Sequence, residues 1–513
     1  MLVFQSLSTT RSQTYESIGV FLIRIPADAT IKPNEQHASP RPRRLWERVE
    51  SPEKAAQRGA ERVRAALRST AGMIDVKTRV VRASGSLMGA IALVAGTTVG
   101  AGILALPATT LSSGMVPTGV VLVIAWAYMS AAGLLIAEVN VNTLFATGRS
   151  AVSLSTMCTE TLGMTGSRFS SVVYILLHYT MLIAYMLQGS TLLYELAVEW
   201  LGSNSPALAA LPPKEIVGPP LYALLLGGAL ITASPSLVEY VNSLAVAGVV
   251  VSFLSMLVLG VQNIDLALLA HMDPPAVVPA IPVVLVSLLY HNVVPTICYQ
   301  LGCDLPRIRF AIVVGLAIPL VLFVAWCAVI LGTVPYDAAD SAATSGEVFD
   351  PLRVLRASGD AFGETVRIFS LLAVTTSFVG FYFGLTDFFA DFLGFDGRRP
   401  GEGDTLDVAS RRTPAERGIL LALVLLPPVA FAVYNPTVFF SALENAGTYG
   451  ILTLFGIVPA AMAWSQRYGD GHDCVKRAAP DALPGGRLSL LLMILAASAI
   501  IGVETWERLS SLF

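Results

Sequence analysis

From about residue 86 onward, apolar stretches long enough to cross a membrane follow one another with few polar residues between them. A helix needs about 20 mostly apolar residues to traverse roughly 30 Å of hydrocarbon. On that measure the pattern predicts eleven spans, at 86–111, 116–141, 171–197, 217–233, 240–261, 277–301, 311–332, 367–390, 418–434, 437–464 and 488–503. The fourth is short and the ninth contains Pro427-Pro428, so hydropathy alone leaves ten or twelve open.

Composition narrows the class. Of the 513 residues, 54% are apolar and 13% charged, well below the quarter expected of a soluble domain. A net charge of −3 gives no reason to expect a nucleic-acid partner. The five cysteines form no CxxC pair and no His/Cys ligand spacing, so neither a disulfide framework nor a metal centre is expected. Loop charge sets the orientation. With the N-terminus inside, inner flanks and loops carry sixteen Lys and Arg residues against five on the outer side.

Residues 1–82 form an N-terminal extension, and 83–513 the membrane domain. The extension is rich in arginine (Arg41, Arg43, Arg44, Arg48, Arg58, Arg62, Arg64, Arg68), and Ala55–Leu67 could wind into a basic amphipathic helix. That pattern reads as an organelle transit peptide or as a disordered tail. Glu47, Glu50, Glu53 and Glu61 make it more acidic than most transit peptides.

Two spans are poorly built as continuous helices. In the first, Gly96-Thr97-Thr98-Val99-Gly100-Ala101-Gly102 packs three glycines and two threonines into seven residues, and glycine costs about 1 kcal/mol per position in a helix. In the sixth, Tyr290-His291-Asn292-Val293-Val294-Pro295 must kink or open just before Pro295, which lacks an N–H. Unwound backbone survives at membrane depth only when buried in protein or lining a cavity. Breaks at matching positions of two halves point to a substrate site near the midplane. Gly96 and Gly100 also satisfy a close helix-packing motif, which is the competing explanation for the first span.

The chain resembles the aromatic amino acid permeases of the tyrosine- and tryptophan-specific type, in their plant and algal branch. The resemblance rests on GAIALVAGTTVGAGILALP (89–107), GLLIAEVNVNT (133–143), SLLYHNVVPTICYQLGCDLPRIRFAIVVGLAIPL (287–320), SLLAVTTSFVGFYFGLTDFFADFL (370–393) and FFSALENAGTYGILTLFGIVPAAMAW (439–464). It covers nearly the whole membrane region and excludes the leader. It implies an all-α integral membrane protein of the amino acid–polyamine–organocation type, with a LeuT-like pair of inverted five-helix repeats plus one span. It also implies transport of tyrosine, tryptophan or phenylalanine, coupling to protons as in bacterial relatives, and a plastid envelope address, with the plasma membrane as alternative.

An amino acid presents a carboxylate, an ammonium and a side chain. The stretch Thr97, Thr98, Val99, Gly100, Ala101 and Gly102 is expected to face the carboxylate, with N–H groups at a half-helix N-terminus. Carbonyls freed near Ala95 and Gly96, and from Tyr290 through His291 to Asn292, are expected to meet the ammonium. On the third span Tyr174, His178 and Tyr185 share a face, and Tyr185 is the candidate for stacking on an aromatic substrate. Candidates for ion coupling are His291, Glu138 and Asp387 for protons, and Thr375 and Thr376 of the triplet Thr375-Thr376-Ser377 for sodium. Each has a purely structural alternative: a helix-end ion pair for the carboxylates, and hydroxyls bonded one turn back for the threonines. No cofactor is expected, and the oligomeric state is not legible. No HExxH, GxSxG or P-loop pattern supports an enzyme, and the spans show no repeated polar ring for a channel. A carrier of neutral, non-aromatic amino acids is the alternative reading.

Overall fold

The computed structural model describes residues 85–147, 152–202, 205, 213–336, 349–395, 412–436, 438–469 and 479–510. Among these residues the chain is helical with no strand, and it is an all-α integral membrane protein. Ten helices are long and apolar enough to cross a membrane, or eleven when a bent pair is counted as one span. The leader and most of the 394–417 loop lie outside the described residues.

The bent pair is the first span: α1 (Leu87–Thr98) and α2 (Gly102–Thr110) meet at 55°. Then come α3 (Met115–Thr147), α4 (Leu154–Leu201), α5 (Lys214–Thr232) and α6 (Pro235–Gly260). The sixth span is divided into α7 (Ile281–Ser287), a 3-10 turn (His291–Val293) and α8 (Val294–Gln300). It is followed by α9 (Leu305–Leu331), the short loop helix α10 (Pro351–Arg356), α11 (Ala361–Leu393) and α12 (Pro414–Tyr434). The tenth span joins α13 (Phe439–Asn445), a π-helical stretch (Ala446–Ile457) and α14 (Val458–Tyr468), and α15 (Gly486–Ser510) completes the set.

Helix starts follow local chemistry. Ser153 caps α4, Ser234 with Pro235 starts α6, and Asp304 with Pro306 starts α9. Thr413 and Glu416 form a reciprocal capping box on α12. Each cap satisfies N–H groups that have no partner within the helix. The helix α11 packs along α6 and α4, while α9 packs against α1 and α3. The π stretch lies against α4, α7 and α15. The outward faces of α6 and α15 carry exposed leucine, valine and tryptophan (Val251, Val258, Leu495, Trp506), as lipid contact requires.

Three details differ from the sequence expectation. The third span extends to 48 residues and turns at Gly163, whose φ of 72° is left-handed. Its first part, Leu154–Arg168, is rich in Ser, Thr and Gly, so hydropathy misses it. The break in the sixth span opens at Leu288–Tyr290 rather than just before Pro295. Pro295 instead sits in the first turn of α8, where its missing N–H has no cost. The widened turns of the tenth span carry no signature in the apolar pattern.

Candidate functional site

The two breaks face each other. A Cβ on Gly102 would lie 3.0 Å from Ser287 Cα, so the start of α2 sits directly on the end of α7. A larger residue at 102 would press on the Ser287 backbone, so glycine favours that approach. Across the first break, the Val99 N–H reaches the Ala95 carbonyl at 3.2 Å, and the next backbone bond is from Ile103 to Gly100 at 3.3 Å. The last carbonyls of α1 from Gly96 onward therefore lose their i+4 partners, and the N–H groups of Gly100 and Gly102 make no backbone bond. Ala101 is the exception, because its N–H donates to the Ser377 hydroxyl of α11 at 2.9 Å.

Not all the expected groups are offered to this space. Thr97 and Thr98 donate their hydroxyls back to Leu93 (2.7 Å) and Val94 (2.8 Å) on their own helix. Ala95 already accepts from Val99, so the carbonyls available to an ammonium begin one residue later than expected. In the sixth span the carbonyls of Tyr290 and His291 accept from Val293 and Val294 within the 3-10 turn. Tyr290 turns toward α3, where its hydroxyl donates to the Met129 carbonyl at 3.1 Å and its ring covers Gly133. Asn292 is exposed.

His291 is different. It is 2% exposed, and its ring stacks on Phe455 of the π stretch at 4.6 Å and 19°. Among the described residues neither ring nitrogen meets a partner at hydrogen-bond geometry; the group facing the ring is the Met129 carbonyl, which also accepts from Tyr290. A buried polar group without partners costs about 1–3 kcal/mol, so it marks either a defect or a place for a ligand. Tyr185 is buried on α4, faces Ser377 with its hydroxyl and packs edge-on to Phe381 at 5.6 Å.

The coupling candidates are bound up in other contacts. Glu138 is fully buried in a two-point pair with Arg467 (2.7 and 2.6 Å) and also accepts from the Ala482 N–H at 2.7 Å. Asp387 pairs with Arg412 at 3.0 Å where α11 hands over to α12. Thr376 bonds Leu372 and Ala373 one turn back (2.9 and 3.2 Å), and Thr375 meets the Tyr222 hydroxyl at 3.4 Å. The sequence marked the whole triplet and chose its first two hydroxyls as candidates; Ser377 is the one that reaches the break. Phe455 was missed, because the π turns set its direction.

The second half of the first span, α2, is buried along most of its length. Above it, His271 stacks on Tyr336 at 3.9 Å and bonds the Ser112 carbonyl at 2.8 Å. The loop helix α10 packs on α2, held by Arg356, which bridges Glu195 (3.0 Å) and Asp350 (3.4 Å). Burial raises the Asp350 carboxyl above its ordinary range, with Arg356 opposing the shift. On α1, by contrast, Ala92, Gly96 and Thr97 are exposed.

An all-helical, multi-pass bundle with two interrupted spans that abut each other defines the class: an all-α integral membrane protein. The chain belongs to the tryptophan/tyrosine permease family, whose profile matches residues 83–504. It is 26% identical over 424 residues to the tyrosine-specific transport system 1 of Haemophilus influenzae, covering 81% of this chain and 96% of that protein. To a tryptophan-specific transport protein of Pseudomonas aeruginosa it is 27% identical over 393 residues, 74% of this chain and 87% of the relative. The glutamine transporter 2 of Aliivibrio fischeri is 22% identical over 298 residues, 57% of this chain and 72% of its own.

Proposed function

We propose that the protein is a secondary active transporter of aromatic amino acids, tyrosine first, with tryptophan and phenylalanine also accepted. The observation that carries this reading is the pair of facing breaks, with unpartnered backbone groups and an unpartnered buried His291 beside them. Relatives named for tyrosine and tryptophan transport supply the side-chain class.

The substrate carboxylate meets the N–H groups of Gly100 and Gly102 at the head of α2, where the helix dipole favours an anion. The ammonium meets the carbonyls of Gly96 to Thr98 at the end of α1. The side chain reaches toward His291, Phe455 and Tyr185, and the free ring nitrogens of His291 hold its polar group. Transport proceeds by alternating access within a five-plus-five inverted repeat. The packed outer half-span α2 and the exposed face of α1 support this, as expected of a state closed on the outside. Coupling is to protons. At Ser377 the break presents an N–H donor to α11 at 2.9 Å, where a sodium ion would need lone pairs. The Arg-rich leader supports a plastid envelope address.

Uptake of labelled tyrosine into proteoliposomes under an imposed pH gradient tests the reading. We expect accumulation that unlabelled tryptophan and phenylalanine suppress and leucine does not. The similarity to a glutamine transporter favours one alternative, a carrier of neutral amino acids. Suppression by glutamine or leucine, with tryptophan inert, would establish that alternative instead.

A further inference from the structure

A second buried histidine lies off the substrate site. His178 on α4 is 1% exposed, and its Nδ1 is 2.8 Å from the Tyr174 carbonyl one turn earlier. A carbonyl only accepts, so Nδ1 carries the hydrogen and the neutral ring holds its lone pair on Nε2. Nε2 has no hydrogen-bond partner among the described residues. It faces Gly384 of α11, where an added Cβ would lie 3.1 Å from it. The ring is flanked by Tyr174 at 3.9 Å and Phe381 at 5.0 Å. Burial of a basic lone pair with no donor is costly, and the fold has fixed its tautomer and turned Nε2 toward a glycine.

Position adds to chemistry. Phe381 touches both His178 and Tyr185, and Tyr185 faces Ser377, which holds Ala101 in the break. In the other direction Tyr174 bonds the Gly384 carbonyl at 3.4 Å and lies near Asp387, which pairs with Arg412. A line of contacts thus runs from the substrate site, past His178, to a carboxylate at the inner end of α11. The ionisable groups around this interface are Tyr174 on α4, Tyr382 and Asp387 on α11, and Arg412 ahead of α12. The π stretch, which packs on the neighbouring Leu177 through Gly450, brings none.

We propose that His178 is the coupling residue of the symport, binding the co-transported proton on Nε2. This rests on the proton-symport reading above. A proton taken from water on the outer side forms the Nε2–H bond while Nδ1–H stays on the Tyr174 carbonyl. The resulting imidazolium is stabilised by the faces of Tyr174 and Phe381. The same proton leaves from Nε2 toward Asp387 and the inner water, restoring the neutral ring.

The test uses full-length protein in proteoliposomes with an entrapped pH dye. Wild type should accumulate tyrosine under a pH gradient and take up protons when tyrosine is added. His178→Gln should keep tyrosine counterflow within about twofold of wild type, yet lose gradient-driven accumulation and tyrosine-induced proton uptake. Accumulation and proton uptake at wild-type levels in His178→Gln would overturn the proposal. Should counterflow also fail in that variant, Gly384→Ala decides, since its methyl crowds Nε2 and leaves the substrate site untouched. A shifted pH profile of uptake supports the assignment, and an unchanged profile rejects it. A wild type without proton-coupled accumulation would instead remove the symport reading itself.

Discussion

Two buried polar centres on this chain are solved in opposite ways. Near the C-terminal end of α3, Glu138 accepts from Arg467 at two points and from the Ala482 backbone. Around it, Asn142 bonds Gln466 (3.1 Å) and Ala479 (2.9 Å), while Arg309 holds the carbonyls of Asp481 and Ala482 (3.3 and 2.8 Å). The segment after the tenth span is thereby strapped across α3, α9 and α14. At the break, among the described residues, His291 has no side-chain partner on either nitrogen, and the Gly100 and Gly102 N–H groups have none on the backbone. Desolvating a polar group without pairing it is destabilising, so the first centre reads as architecture, while the second fits the substrate site proposed above.

The contrast can be broken by substitution. Replacing Glu138 with Gln leaves the buried Arg467 guanidinium with the half-exposed Asp481 carboxylate at 3.5 Å in place of its two-point pair, and should cost about 3 kcal/mol, read as a lower melting temperature in detergent. Combining it with Arg467→Met should recover most of that loss, because the desolvated charge is gone. Protein that remains folded should keep its KM for tyrosine; a changed KM would move Glu138 into the site.

The opposite pattern is expected at the break. His291→Leu should leave melting unchanged or raised by up to about 1–3 kcal/mol, since it removes an unpaired buried group. Tyrosine uptake should fall roughly ten- to a hundredfold, the equivalent of a lost hydrogen bond to a polar substrate group. A variant that is less stable yet transports normally would make His291 a packing residue.

The smallest effect belongs to the link between the two helices. Ser377→Ala removes the acceptor for the Ala101 N–H and should raise KM for tyrosine by about fivefold, near 1 kcal/mol, with the maximal rate little changed. A fall in maximal rate at constant KM would place Ser377 in the conformational step instead.

The membrane class, the order of the spans, and the two interruptions were all legible in residue pattern. They depend on local causes: runs of apolar side chains long enough to span, glycine clusters, and a proline lacking its N–H. The break in the sixth span was legible only to within a turn, because Pro295 is accommodated in the first turn of α8 and strain is released upstream at Leu288–Tyr290. Which member of Thr375-Thr376-Ser377 touches the break depends on the rotation of α11, a quantity that hydropathy averages away. Phe455 was hidden for a related reason, since the π stretch advances its side chains by a different angle from an α-helix.

What the sequence by itself determined was a multi-pass helical membrane protein, interrupted at Gly96–Gly102 and near Tyr290–Pro295. What only the tertiary structure decided was partnership. Glu138 and His291 are both ionisable groups in apolar runs; the sequence set one toward a helix end and the other at a break, but not which of them is paired. Arg467 lies 329 residues from Glu138, and among the described residues no charged partner reaches His291. A buried group's role follows from what folding brings to it, which local sequence does not encode.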